Sequence, residues 1–354
     1  MNGTMVYVLG AGCSVRCGYP LGAGFVPALE DFSRCLGNDA QKLKRCIRET
    51  AALMREVNAQ TMDEFVHRIY NRALDDPGLS STDAYGVQLQ RIRKAKIATA
   101  ALFLKLEQAT KPETLAGYQR LILRMFPGPG MWQQRIGNGN CRLLTFNYDR
   151  QFELTLLRTF GIDAHRENIY HQSILNSGLT DITGRVMEFT GDRFCYLKLH
   201  GSIGPGIQEQ SGPRYNLYRH GAPGDAVAIN DELFFAHENP QSPLPTDFQP
   251  LIVFPFEKDF IRSGADNQLP FRNYIESVWQ QAERVVASAS HIRFIGYSFH
   301  PMDHGSVINL LKKAEDCPKI IIQDRPGEAE RICARLKNDY PELPISFEAY
   351  GCEF

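Results

Sequence analysis

"HIRFIGYSFHPMDHGSVINLLKKAEDCPKIIIQDRPGEAERICARLKN", residues 291–338, alternates two textures. "IRFIG" and "KIIIQD" are short, almost continuously apolar and rich in isoleucine. "HGSVINLLKKAE" and "GEAERICARLKN" carry apolar residues at helical spacing among charges. The first texture suits a strand covered on both faces and the second an amphipathic helix. Strand–helix–strand–helix indicates βαβ units and a parallel sheet.

The alternation extends outward. Upstream lie the apolar run "LIVFPF" (251–256) and the helical stretch "FRNYIESVWQQAERVVASAS" (271–290); downstream lies "PISFEAY" (344–350). Nearer the start, "MVYVLGAG" (5–12), "CRLLTFN" (141–147) and "FCYLKLHG" (194–201) are further strand-like runs. From about Leu29 to Phe126 the pattern is helical, including "YGVQLQRIRKAKIATAALFLKLEQA" (85–109) and "PETLAGYQRLILRMF" (112–126). "TMDEFVHRIY" opens on Thr61 with Glu64 three residues on, a capping-box spacing. Residues 202–247 are rich in Gly and Pro and read as long loops with room for a hairpin or a lid. The expected fold class is α/β: a Rossmann-like doubly wound parallel sheet with a large helical insertion. Residues 1–30 and 127–354 are expected to form the Rossmann-like unit and 31–126 the insertion.

The bulk numbers narrow the function. The chain has 354 residues, 43% hydrophobic and 22% charged, as in ordinary globular proteins. No run reaches the roughly 18 apolar residues of a membrane span, and the start lacks a secretory pattern. A cytoplasmic location without membrane association is expected. The formal net charge of −1 gives no electrostatic footprint for direct nucleic-acid binding. The basic run "RIRKAK" (91–96) reads as a solvated helix face. Nine cysteines include no C-x-x-C pair, which fits free buried thiols rather than a zinc site.

In doubly wound sheets ligands bind outside the carboxyl ends of the strands, so the strand ends hold the candidates. Gly10 and Gly12, around Ala11 and followed by Ser14, resemble a dinucleotide-binding turn. Val15 occupies the place of a third glycine, so a plain tight turn explains the motif equally well. Asn147 and Asp149 close "TFNYD", either capping the next helix or facing a sugar hydroxyl or a water. His200 ends "KLH" beside Gly201, placed for a general base or simply structural. Gly296 and Ser298 follow "IRFI", and Asp324 ends "IIIQD", where a carboxylate can bind ribose hydroxyls or cap a helix. Asp303 reads as a helix cap, and the group His300, Asp303 and His304 lacks further ligands at metal-binding spacing.

"GAGCS", "TFNYD", "LHGS" and "GYSF", in this order and each after a strand, resemble the sirtuin fold. The chain looks most like its bacterial NAD-hydrolysing branch, known from anti-phage defence. The resemblance covers residues 5–30 and about 140–325. It implies that Gly10, Ala11, Gly12 and Ser14 contact NAD, with Asp149, Gly296, Ser298 and Asp324 completing the binding site. It implies Asn147 and His200 as the catalytic pair. NAD is the substrate, and the expected products are nicotinamide and ADP-ribose. Sirtuin deacetylases carry two C-x-x-C pairs, and an aspartate, a phenylalanine and an arginine after the first motif. This chain has neither, and "GYPLGAG" (18–24) follows instead. The departures favour hydrolysis without a metal over deacylation; NAD-dependent deacylation, ADP-ribosyl transfer and a weakly active NAD-binding sensor or scaffold remain alternatives. By the same resemblance the protein is a regulated effector, a homo-oligomer or the partner of a translocase-type ATPase or a short argonaute.

Overall fold

The computed structural model describes residues 4–74, 81–137, 141–163, 195–209, 215–219, 223–235, 249–255, 257, 272–314, 319–343 and 346–351. Strand β1 (Thr4–Leu9) is followed by six helices: α1 (Phe25–Cys35), α2 (Gln41–Glu56), α3 (Met62–Leu74), α4 (Ser81–Gln108), α5 (Ala116–Met125) and α6 (Trp132–Gly137). Then come β2 (Cys141–Thr145), α7 (Gln151–Phe160), β3 (Cys195–Lys198), β4 (Gly201–Glu209), β5 (Tyr215–Arg219), α8 (Asp231–Phe235) and β6 (Gln249–Ile252). The last elements are α9 (Arg272–Ala287), β7 (Ala289–Ile295), α10 (Pro301–Leu311), β8 (Lys319–Asp324), α11 (Glu328–Asp339) and β9 (Ser346–Gly351).

The six-stranded sheet has the order β3-β2-β1-β7-β8-β9, and every neighbouring pair is parallel. In chain order this is the 3-2-1-4-5-6 arrangement of dinucleotide-binding sheets, and it reverses between β1 and β7. Side chains alternate between two cores, as the period of two in a strand requires. Val6, Val8, Leu144, Leu197, Ile292, Phe294, Ile320 and Ile322 pack beneath α9, α10 and α11 through Trp279, Val285, Val307 and Ile332. Tyr7, Leu9, Leu143 and Tyr196 face the other way, against Leu29, Ile47, Phe65, Ala98, Ile122 and Phe152. The six helices between β1 and β2 are thus grouped on one face of the sheet.

Residues 95–104 of α4 are buried all round, so this helix is the centre of the block. Its basic run is a solvated face only in part: Arg91, Arg93 and Lys94 are half-buried, and Lys96 is buried. Lys96 pairs with Glu257 at 2.8 Å, both 2% exposed, and Lys94 meets Glu49 at 2.6 Å. Near its other end, Glu107 takes two hydrogen bonds from Arg150, at 2.9 and 2.7 Å. The Lys96–Glu257 and Glu107–Arg150 pairs tie the helical block to the segments that follow β6 and β2.

"LIVFPF" corrects an expectation. Its first two residues, Leu251 and Ile252, close β6, which runs antiparallel to β4 in a separate three-stranded sheet, β5-β4-β6. An apolar run alone does not state which sheet it joins. The hairpin anticipated after Ser202 is β4–β5; "ENPQSPLPTD" (238–247) lies outside the described residues. Among the described cysteines all are free, and Cys35 differs from the rest in being exposed. Among the described residues no helix is long and apolar enough to cross a membrane.

Candidate active site

At the carboxyl edge of the sheet, where the order reverses, lies a cavity of about 650 Å³. This falls within the range of about 300–1,000 Å³ for small-molecule and cofactor sites. It is lined by the turns after β1, β2, β3, β7 and β8, and by α3 and α4 through Met62, Asp63, Thr99 and Phe103.

The turns after β1 and β7 are interlocked. Gly10 N–H donates to Ile295 O at 3.0 Å and Gly12 N–H to Gly296 O at 2.8 Å. A Cβ on Gly10 would lie 2.5 Å from Gly296 O and from Tyr297 Cα, and one on Gly12 2.8 Å from Gly296 O. Gly296 itself has φ +59, and a Cβ there would meet Cys13 N at 2.6 Å. The missing side chains therefore let one backbone turn pass against another. Gly10 does not line the cavity, whereas Ala11, Gly12, Ser14, Gly296 and Ser298 do. A seven-residue 3₁₀ helix (Ala11–Cys17) follows, not an α-helix.

Asn147 and Asp149 stand where β2 ends and divide the work. Asp149 is buried, and its Oδ1 accepts from Gln151 N–H at 3.0 Å at the start of α7. Its Oδ2 accepts from Ser14 Oγ–H at 2.7 Å, and Ser14 also meets the Tyr118 hydroxyl at 2.8 Å. Burial raises the Asp149 pKa, outweighing the Lys198 ammonium and these hydrogen bonds. Both carboxylate oxygens are committed inside the protein, although the residue lines the cavity. Asn147 is different. Its Nδ2 donates to Gly10 O at 3.0 Å, a carbonyl that can only accept, which fixes the orientation of the amide. Its Oδ1 is buried without a hydrogen-bond partner.

His200 lies two residues past β3, in the turn that leads into β4, and is 2% exposed. Its Nε2 lies 3.1 Å from Oδ1 of Asp303 in α10. The ring N–H is not aimed along that line, so the pair is an electrostatic contact short of a hydrogen bond. Asp303, read from sequence as a cap, thus has its carboxylate against the histidine. Gly201, at φ +78, leaves no open space beside His200: a side chain there would run into the Leu251 carbonyl of β6. Phe146 meets the His200 ring edge-on at 5.2 Å and stacks on Tyr297 at 4.5 Å, and Tyr148 lies nearly parallel to His200 at 6.1 Å. The phenols of Tyr148 and Tyr297 are held protonated by burial first, and then by Asp63 and Asp303.

The far end of the cavity is formed by Gln323, Asp324, Arg325 and Glu328. Asp324 Oδ1 accepts from Arg325 N–H at 2.7 Å, and α11 starts after Gly327, so Asp324 does not cap it. Nine of the ten residues singled out in the sequence meet at this cavity: Ala11, Gly12, Ser14, Asn147, Asp149, His200, Gly296, Ser298 and Asp324. Tyr148, Tyr297, Asp303 and Asp63 were not singled out as site residues. Their only sequence signal is proximity to strand and helix ends. Among the described residues no group of three or more His, Cys, Asp or Glu side chains is arranged to hold a metal ion.

No protein-family model and no curated protein matches the chain. Among solved structures, a Sir2 homologue in complex with NAD aligns at TM-score 0.41 and 16% identity, over 98% of this chain and 83% of that chain. A mutant Sir2 homologue with ADP-ribose gives 0.40 and 16%, over 90% and 79%. A Sir2 protein bound to a propionylated peptide gives 0.39 and 12%, over 99% and 87%. At these scores and identities the likeness says nothing about residue roles.

Proposed function

We propose that the protein hydrolyses NAD at the bond between nicotinamide and ribose, releasing nicotinamide and ADP-ribose. One observation carries the reading. Asn147, whose buried Oδ1 has no hydrogen-bond partner, and the His200–Asp303 pair line one cavity at the switch point of a 3-2-1-4-5-6 sheet. The motif resemblance of "GAGCS", "TFNYD", "LHGS" and "GYSF" supplies the identity of the ligand.

The residues fit a dinucleotide. Ala11, Gly12 and Asp324 line the cavity; in this reading the first two offer backbone to the pyrophosphate and Asp324 takes ribose hydroxyls of the adenosine half. Asp149 and Ser14 support the site from within, holding the turn that carries Asn147. NAD supplies a leaving group that is already cationic, so the pyridine departs neutral with the bonding pair and the ribose carbon becomes electron-poor. Water adds there and loses a proton.

The chain's own groups serve those two events. Asn147 Oδ1 can accept a hydrogen bond from a ribose hydroxyl or from the attacking water. Asp303 favours the imidazole tautomer protonated on Nε2, which leaves the lone pair of Nδ1 as the base. Such proton transfer contributes typically about 10²–10⁴-fold, and orientation and electrostatics supply the remainder.

An unregulated activity of this kind would drain the host's NAD. We therefore place the protein as a regulated effector, quiet as an isolated chain and switched on by assembly or by a partner protein. The place in anti-phage defence rests on the sequence resemblance alone. Product analysis tests the function: NAD is incubated with the protein at high concentration and the products are resolved by mass. Nicotinamide with linear ADP-ribose is the expected result. A cyclic product, an ADP-ribosylated protein, or turnover only with an acyl-lysine peptide would replace hydrolysis by another reaction.

A further inference from the structure

The helical block does more than cover one face of the sheet. The first turn of α3 sets Asp63 in the wall of the cavity that Asn147, His200 and Asp303 also line. Thr61 fixes that turn: its Oγ1 accepts from Glu64 N–H at 3.0 Å, while Glu64 reaches back to Gln60 N–H at 2.8 Å. Aromatic rings line the same cavity, among them those of Phe146, Tyr148 and Tyr297. Tyr297 is 6% exposed and stacked on Phe146, and its hydroxyl is buried without a hydrogen-bond partner. Both Asp63 and Asp303 are near enough to this phenol, and to that of Tyr148, to act on their ionisation. This end of the cavity therefore combines two carboxylates with aromatic rings and an unused phenolic donor. A cation is attracted by carboxylates and by aromatic faces, and an anion is repelled by both.

We infer that Asp63 is a specificity-determining residue, which together with Asp303 makes this end of the cavity accept a positively charged pyridinium ring and refuse a ring bearing a carboxylate. The inference rests on the NAD reading above. In its terms the oxidised nicotinamide ring is admitted and its nicotinic-acid counterpart is excluded. The Tyr297 hydroxyl is the donor available to a neutral carboxamide.

Calorimetric titration of the full chain tests this without turnover. The ring probes are 1-methylnicotinamide, a cation, and nicotinate, an anion, and ADP-ribose is the probe for the remainder of the site. The wild type is expected to bind the cation at least about tenfold more tightly than the anion, a factor within reach of one or two nearby charges. Asp63→Asn should remove most of that preference and leave ADP-ribose affinity unchanged. Asp63→Ser, compatible with the first turn of a helix, is the second variant should Asp63→Asn fold poorly. An unchanged cation preference in a folded Asp63 variant overturns the inference and leaves the NAD reading standing. Failure of the wild type to bind ADP-ribose overturns both.

Discussion

Asn147 and Asp149 sit two positions apart, and their surroundings separate their roles. Asn147 spends its N–H₂ on Gly10 O and has an oxygen without a partner; Asp149 spends both oxygens on Gln151 N–H and Ser14. A strand end in sequence announces that polar residues lie at a sheet edge, which is why Asn147 and His200 were visible there. It does not announce which atoms are already used. Asp303 was misread for the same reason, since its partner His200 is distant in sequence. The Asp149 environment gives a prediction. Its pKa is raised in the folded chain, so the fold binds the proton more tightly than the unfolded chain does. This residue's contribution to stability therefore falls as pH rises from about 3.9, the unfolded value, through the raised folded value. Asp149→Asn should flatten that part of the profile and hold stability near neutral pH, because an amide oxygen still accepts from Gln151. Asp149→Ala should cost about 1–2 kcal/mol through loss of both acceptor contacts. Urea denaturation at pH 5 and pH 7 measures both; equal destabilisation by the two variants would contradict this account.

Short elements explain where sequence patterns failed and where they served. Strand–helix alternation located β1, β2, β3, β7, β8 and β9, because continuous apolar runs suit a sheet covered on both sides. The same criterion placed "LIVFPF" wrongly, since β6 is also buried but pairs with β4. Glycines were legible as tight turns but not by what approaches them. Gly10 looked like room for a pyrophosphate, yet the nearest backbone belongs to Gly296 and Tyr297, far along the chain. Gly10→Ala tests this distinction. A Cβ 2.5 Å from backbone atoms cannot be relieved by turning a side chain, so the turns after β1 and β7 must part. A loss of roughly 3 kcal/mol or more is expected, in the upper range for single substitutions. Thermal and urea unfolding without ligand report it. A variant of normal stability with defective ligand binding would instead return Gly10 to the ligand.

Across the molecule, the helices between β1 and β2 complete the cavity that the sheet edge begins, and composition gave no hint of that joint role. Buried charges join the two parts. Glu107 in α4 and Arg150 before α7 are each 1% exposed and held by two parallel hydrogen bonds. Glu107 also accepts from Gly224 N–H at 2.9 Å. Glu107→Ala removes the carboxylate that pairs with a buried guanidinium and should cost about 3–5 kcal/mol. Because the pair spans the helical block and the sheet, the loss should lower one cooperative transition; a change below about 1 kcal/mol, or separate melting of two parts, would contradict the joint core. The central claim is that Asn147 and His200 act on one ligand in one cavity. Nicotinamide release from NAD under activating conditions, compared among wild type, Asn147→Ala, His200→Asn and the double variant, tests it most directly. Asn147→Ala leaves Gly10 O with its second donor, Cys13 N–H at 3.1 Å, and His200→Asn keeps a polar group near Asp303, so both should fold. Each single change should lower kcat by about 10²-fold or more, and the double variant should be little worse than the weaker single one. Turnover near the wild-type rate in either folded single variant would contradict the assignment.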